Sequence, residues 1–208
     1  MSMPLTEPVE RKPLHQRDIQ VRGYQRADGL YDIEGHITDI KPHPIDSDRV
    51  RRPADKPIHG MWMRLTIDTT MTILASEAWT EFGPFATCAG GATSYGRLVG
   101  LTLKPGFLRA ANERLGGPIG CTHIREMLQQ MATTAFQALW GMRSQPTSGS
   151  NSVSNDRDTD GSIALVDTCY AYASDGVVVK ARWPHLYRER VATAEAAPVQ
   201  AATDSAEG

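Results

Sequence analysis

The sequence predicts an α+β fold: a curved, mainly antiparallel sheet packed on one long helix and a shorter helix. Two patterns and one turn signal predict it. Apolar residues alternate with polar ones through several segments of the first half, as in Met61, Met63, Leu65 and Ile67, the period-two pattern of half-buried strands. Between residues 122 and 140 the period changes, and Ile124, Met127, Leu128, Met131, Ala135, Ala138 and Leu139 recur at helical spacing. Asp28-Gly29, lying between two alternating segments, is a hairpin signal that makes neighbouring strands antiparallel. A chain of 208 residues that is 40% hydrophobic and 22% charged is globular in composition and can bury one sizeable core.

The first strand is expected over Asp18 to Arg26 and the second over Leu30 to Ile40. On the second, Tyr31, Ile33, Gly35 and Ile37 share one face; Asp32, Glu34, His36 and Thr38 share the other. A proline-rich loop leads to a third strand over Ile58 to Asp68, with His59 and the methionines on one face and Trp62, Arg64 and Thr66 on the other. Asp68-Thr69-Thr70 turns the chain into a fourth strand over Met71 to Ala75, and Arg97 to Lys104 is a further strand candidate. Pro105 and Gly116-Gly117 bracket the short helix. At the end, Asp175-Gly176 favours a hairpin between 163–173 and 177–182, a helix for the first arm being the alternative. Residues 1–14 read as a flexible N-terminus, 15–190 as a single domain with a flexible internal loop at 144–162, and 191–208 as a disordered tail.

Net charge is −2, and the one tight basic group, Arg49, Arg51 and Arg52, sits among Asp46, Asp48 and Asp55, which argues against nucleic acid. No apolar run approaches a membrane span, and the N-terminus has no signal-type stretch, so the expected location is the cytoplasm. Cys88, Cys121 and Cys169 are odd in number and far apart, unlike a disulfide framework. Walker, dinucleotide and serine-elbow motifs are absent.

Four groups of residues can carry chemistry. Asp32, Glu34 and His36 form a polar row that can divide acid and base work, because neighbouring carboxylates push each other's pKa values apart. A solvent-facing strand presents the same kind of row. Cys121 and His123 open the long helix, where free backbone N–H groups favour an anion; Cys121 can be a nucleophile there, or merely a small buried residue beside a Thr122 cap. Joined by His36, His59, Cys88 or Cys169, the same pair can complete a zinc site, although no paired-ligand motif is present and no metal is assigned. Arg64 can clamp a carboxylate or phenolate, or pair internally with Asp68 or Asp32.

The stretches GYQRADGLYDIEGHITDIK, PIHGMWMRLTID, GCTHIREMLQQMATTAFQALWG and DTCYAYASDGVVVK, in this order, resemble the bacterial DUF2889 family, a domain of unknown function, over most of Arg17 to Pro184. Tyr24, Arg26, Asp28, Asp32, Glu34, His36, His59, Arg64, Asp68, Cys121, Thr122, His123, Thr133, Thr134, Gln137 and Cys169 fall on its signature positions. The resemblance implies a role in aromatic-compound catabolism, including lyases that release formaldehyde from lignin-derived diaryl compounds. On that basis the expected function is a cofactor-independent carbon–carbon lyase with a small aromatic substrate. Asp32, Glu34, His36, His123 and Cys121 are its expected catalytic residues, and Arg64, Tyr24, Trp62 and His59 line the substrate. A zinc-dependent hydrolase or thioesterase and a non-enzymatic binding module are the alternatives; a homodimer is the expected assembly, if any.

Overall fold

The computed structural model describes residues 5–6, 8–47, 50–143 and 165–189. The expected loop at 144–162 and the tail at 191–208 lie outside them. The chain divides into two compact units, Met1–Pro146 and Thr147–Gly208.

The first unit is built on an antiparallel meander of four strands in the order β1-β2-β5-β6. These are β1 (Gln16–Gln25), β2 (Tyr31–Ile40), β5 (Pro57–Ile67) and β6 (Ile73–Phe82). A two-strand ribbon, β3 (Ile45–Asp46) with β4 (Arg51–Arg52), fills the link between β2 and β5. Alternation gives each strand two faces, and the register aligns them across the sheet: Ile33 stands opposite Leu65, and Glu34 opposite Arg64.

One face is the core. Ile33, Ile37, Met61, Met63 and Leu65 are buried against the helix α2 (Thr122–Arg143), whose Ile124, Met127, Leu128 and Met131 supply the other side. Gly35 lets α2 come close, since a Cβ there would lie 3.0 Å from the Met131 sulfur and 3.3 Å from that of Met127. The short helix α1 (Phe107–Leu115) buries Phe107, Ala111 and Leu115 in the same core. The architecture is therefore α+β, with the long helix where its apolar stripe requires.

Three expectations need correction. The fourth strand continues to Phe82 instead of stopping at Ala75. Its inward positions from Ser76 onward are small, so alternation is invisible there, yet they suit the close approach of a 3-10 helix at Ala86–Leu98, on which Cys88 accepts a hydrogen bond from the Thr80 hydroxyl. Arg97 to Lys104 is not a strand: Gly100, at φ 85°, breaks it, and one bridge between Thr72 and Thr102 remains. In the second unit the final hairpin is replaced by a 3-10 turn at Tyr170–Tyr172, the helix α3 (Val177–Arg182) and a second 3-10 turn at Pro184–Leu186. Gly176 lacks the positive φ of a tight Asp-Gly hairpin and starts α3, its carbonyl accepting the Lys180 N–H.

Candidate active site

A carboxylate lies on the core face. Asp39 follows Ile33, Gly35 and Ile37 on the inward side of β2 and is 1% exposed. Charge taken out of water needs local partners. Register supplies them, because Arg17 on β1 and His59 on β5 both stand directly across from Asp39. Arg17 holds the carboxylate with two parallel bonds, Nε to Oδ1 at 2.7 Å and Nη2 to Oδ2 at 2.8 Å, and reaches Glu126 of α2 with Nη1. His59 Nδ1 lies 3.0 Å from Oδ2. Since an ionised carboxylate only accepts, that nitrogen carries the proton and Nε2 keeps its lone pair. His15 adds a contact of 3.3 Å to Oδ1.

The start of α2 closes the group from above. His123 Nε2 lies 3.5 Å from Asp39 Oδ2, and its ring stacks on His59 with centroids 3.8 Å apart. Its Nδ1 is 3.8 Å from the Cys121 sulfur. Buried Tyr95 fixes this helix start by donating its hydroxyl to the Cys121 carbonyl at 2.6 Å. Burial pushes that phenol's pKa up, so it remains a donor. Gly91 allows the 3-10 helix to pass beside Cys121, where a Cβ would lie 3.3 Å from the cysteine Cβ.

Electrostatics follow from this packing. Burial drives the Asp39 pKa upward, but the hydrogen bonds and charge of Arg17, helped by His59, outweigh it and hold the carboxyl at about 2. Burial lowers the pKa of His59, and the neighbouring His123 lowers it further. Burial lowers His123 as well, against the pull of Asp39. At neutral pH Asp39 is thus a carboxylate held by the Arg17 guanidinium, beside the neutral imidazoles of His59 and His123.

The donor atoms of Asp39, His59 and His123 lie within 4.8 Å of one another, close enough to share a metal ion. Two features oppose that use. Arg17 already occupies both carboxylate oxygens, and the two imidazoles stack instead of diverging from a common point as ligands of a tetrahedral ion do.

The residues expected from sequence fall into two groups on opposite faces of the sheet. His59, His123 and Cys121 join the Asp39 centre. Asp32, Glu34, His36, Tyr24, Trp62 and Arg64 lie on the other face and do not meet His123. Arg64 bonds to Glu34 and Glu77, Asp32 accepts from Thr66 at 2.7 Å, and His36 stacks on Trp62. Tyr24 stands across from Asp32 at the β1 side of that face. Arg64 meets Glu34, not the Asp68 or Asp32 considered as internal partners. Of His36, His59 and Cys88, the extra zinc ligands offered by the first unit, His59 is the one grouped with His123 among the described residues.

Sequence reasoning missed Asp39 and Arg17. A signal for Asp39 was present: it is the one carboxylate on the inward side of β2, just as His59 is the one imidazole on that of β5.

A family model described as "Protein of unknown function (DUF2889)" matches residues 15–137, more than half of the chain. The chain belongs to this family. The DUF2889 match contains every residue of the Asp39 centre, and it ends before the DTCYAYASDGVVVK stretch on which part of the resemblance rested. No curated protein and no solved structure matches the chain. No helix among the described residues is long and apolar enough to cross a membrane.

Proposed function

We propose that this DUF2889 protein is an acid–base enzyme centred on Asp39, His59 and His123, and specifically a cofactor-independent carbon–carbon lyase acting on a diaryl aromatic compound. The observation that carries the acid–base reading is the bond from His59 Nδ1 to a buried, ionised carboxylate. It fixes one tautomer, leaves Nε2 as a base and stabilises the imidazolium formed when that base takes a proton. The substrate class rests on the family resemblance.

The chemistry balances without a cofactor. His59 Nε2 removes the proton of a primary alcohol, and the C–O bond becomes the C=O of formaldehyde. The released carbon–carbon bond pair forms a C=C bond, and the adjacent aryl ether C–O bond breaks with its electrons on oxygen. That oxygen takes a proton from imidazolium, so the proton removed at the start is the one needed at the end. His123, stacked on His59, limits how that imidazole can turn while it carries the proton.

The test is formaldehyde release from a panel of lignin-type diaryl dimers. Turnover should fall at least about a hundredfold in His59→Gln and survive in the Glu34→Gln/His36→Gln double variant. Turnover kept in His59→Gln and lost in the double variant would move the chemistry to the opposite face and overturn the assignment.

A second reading has one observation in its favour. Cys121, His123 and Asp39 line up as thiol, imidazole and carboxylate, at 3.8 and 3.5 Å. That order suits a hydrolase or thioesterase with a cysteine nucleophile. Thiol release from acyl thioesters, abolished in Cys121→Ala and unaffected by chelator, would select it. Metal bound in stoichiometric amount and required for turnover would select the zinc form instead.

A further inference from the structure

The face of the sheet opposite the Asp39 centre carries aromatic surface with a charge imbalance around it. Trp62 on β5 and Trp79 on β6 are a cross-strand pair, 39% and 60% exposed. Trp62 is held in place: His36 stacks on it with centroids 3.8 Å apart, and its Nε1–H donates to Glu81 at 2.9 Å. Beside the indoles runs a second cross-strand row, Glu34, Arg64 and Glu77. Both carboxylates bind the one guanidinium, Arg64 Nη2 to Glu34 at 2.7 Å and Nη1 to Glu77 at 2.8 Å. Three carboxylates, Glu34, Glu77 and Glu81, therefore stand beside the tryptophans, and Arg64 is the cation bound to two of them. Arg22, across from Glu34 on β1, reduces the excess without removing it.

We infer that this face docks a basic segment of a partner protein, with arginine side chains laid on the indoles and paired with Glu77 and Glu81. Indole faces attract cations, and the carboxylate rim adds complementary charge. The hollow between the two rows, about 330 Å³ and lined in part by Trp62, Arg64, Glu77 and Trp79, is open. It would leave a small molecule mostly wet, whereas an extended segment crossing the strands covers more surface. A second copy presenting the same face by two-fold symmetry would set carboxylates against carboxylates. The inference does not depend on the lyase reading, because the two sites lie on opposite faces.

The experiment titrates the full chain with an acetylated, amidated octapeptide of alternating arginine and glycine, followed by indole fluorescence and calorimetry. Saturable, salt-weakened binding is expected, reduced about tenfold or more in Trp79→Ala and in Glu34→Gln/Glu77→Gln. Formaldehyde turnover, if present in the parent protein, should be unchanged in Trp79→Ala. Absence of saturation overturns the inference. So does undiminished binding in both variants, or equal binding of a glutamate–glycine counterpart. A protein that self-associates through this face, dissociates in Trp79→Ala and never takes the peptide would assign the surface to a second copy.

Discussion

A carboxylate shielded from water stays ionised only if neighbours replace its hydration, and Asp39 has four such neighbours within 3.5 Å: Arg17, His15, His59 and His123. Arg17 keeps 32% of its side chain in water, so removing Asp39 leaves a cation that solvent can still reach. Asp39→Asn should therefore cost about 2–3 kcal/mol, below the usual loss for breaking a fully buried pair, measurable by urea unfolding. It should also abolish turnover, because the His59 tautomer and the stabilised imidazolium both depend on the charge. Arg17→Lys is the sharper test of geometry. Lysine restores the charge but cannot reproduce the two parallel bonds, so stability should fall by about 1 kcal/mol while turnover falls further. The sequence made His59, Cys121 and His123 visible because histidine and cysteine are rare and attract notice. Asp39 and Arg17 were hidden because acidic and basic residues on strands usually face solvent, and only the phase of alternation at Asp39 says otherwise.

At the level of elements, strands and helix were legible where large apolar residues mark most inward positions. That holds for β2, β5 and α2, where Ile33 and Ile37, Met61 to Ile67, and Ile124 to Met131 set the period. It fails for the far half of β6, where Ser76, Ala78 and Thr80 face inward, and for residues 97–104, where Gly100 interrupts an apolar run. Alternation marks the apolar face that α2 covers, but no local pattern gives where along that face the first turn of α2 lies. That placement puts His123 beside Asp39 and away from His36, and Gly35 is the residue that permits it. Gly35→Val should push Met127 and Met131 off their positions and cost about 1–3 kcal/mol by overpacking. Because the methionines lead from the middle of α2 toward its first turn, the same change should displace His123. The expected signature is a fall in turnover larger than the loss of stability explains, with secondary structure by circular dichroism retained.

For the molecule as a whole, these local charges fix how stability depends on pH. His59 and His123 have folded pKa values below the ordinary histidine value of 6.5, so the unfolded chain binds protons more readily than the folded one as pH falls. Their contribution is complete above the unfolded pKa and diminishes as pH drops through it. Asp39 acts in the same direction at lower pH. Its folded pKa of about 2 lies below the ordinary aspartate value of 3.8, so its contribution is full above the unfolded pKa and is lost as pH falls toward the folded one. The Asp39 part amounts to about 2 kcal/mol. Urea midpoints measured across pH should therefore hold steady above about pH 7, decline in a first step below about pH 6.5 and in a second below about pH 4. The His59→Gln/His123→Gln double variant should shrink the first step, to which half-buried His36 also contributes, and leave the second, whereas Asp39→Asn should shrink the second. A profile in which Asp39→Asn leaves the acid step unchanged would mean that other carboxylates govern acid unfolding, and that the Asp39 charge is not held down in the folded protein. Under the acid–base reading, kcat/KM should rise through the histidine range in the same upward direction, as the two imidazoles become neutral and His59 becomes available as a base.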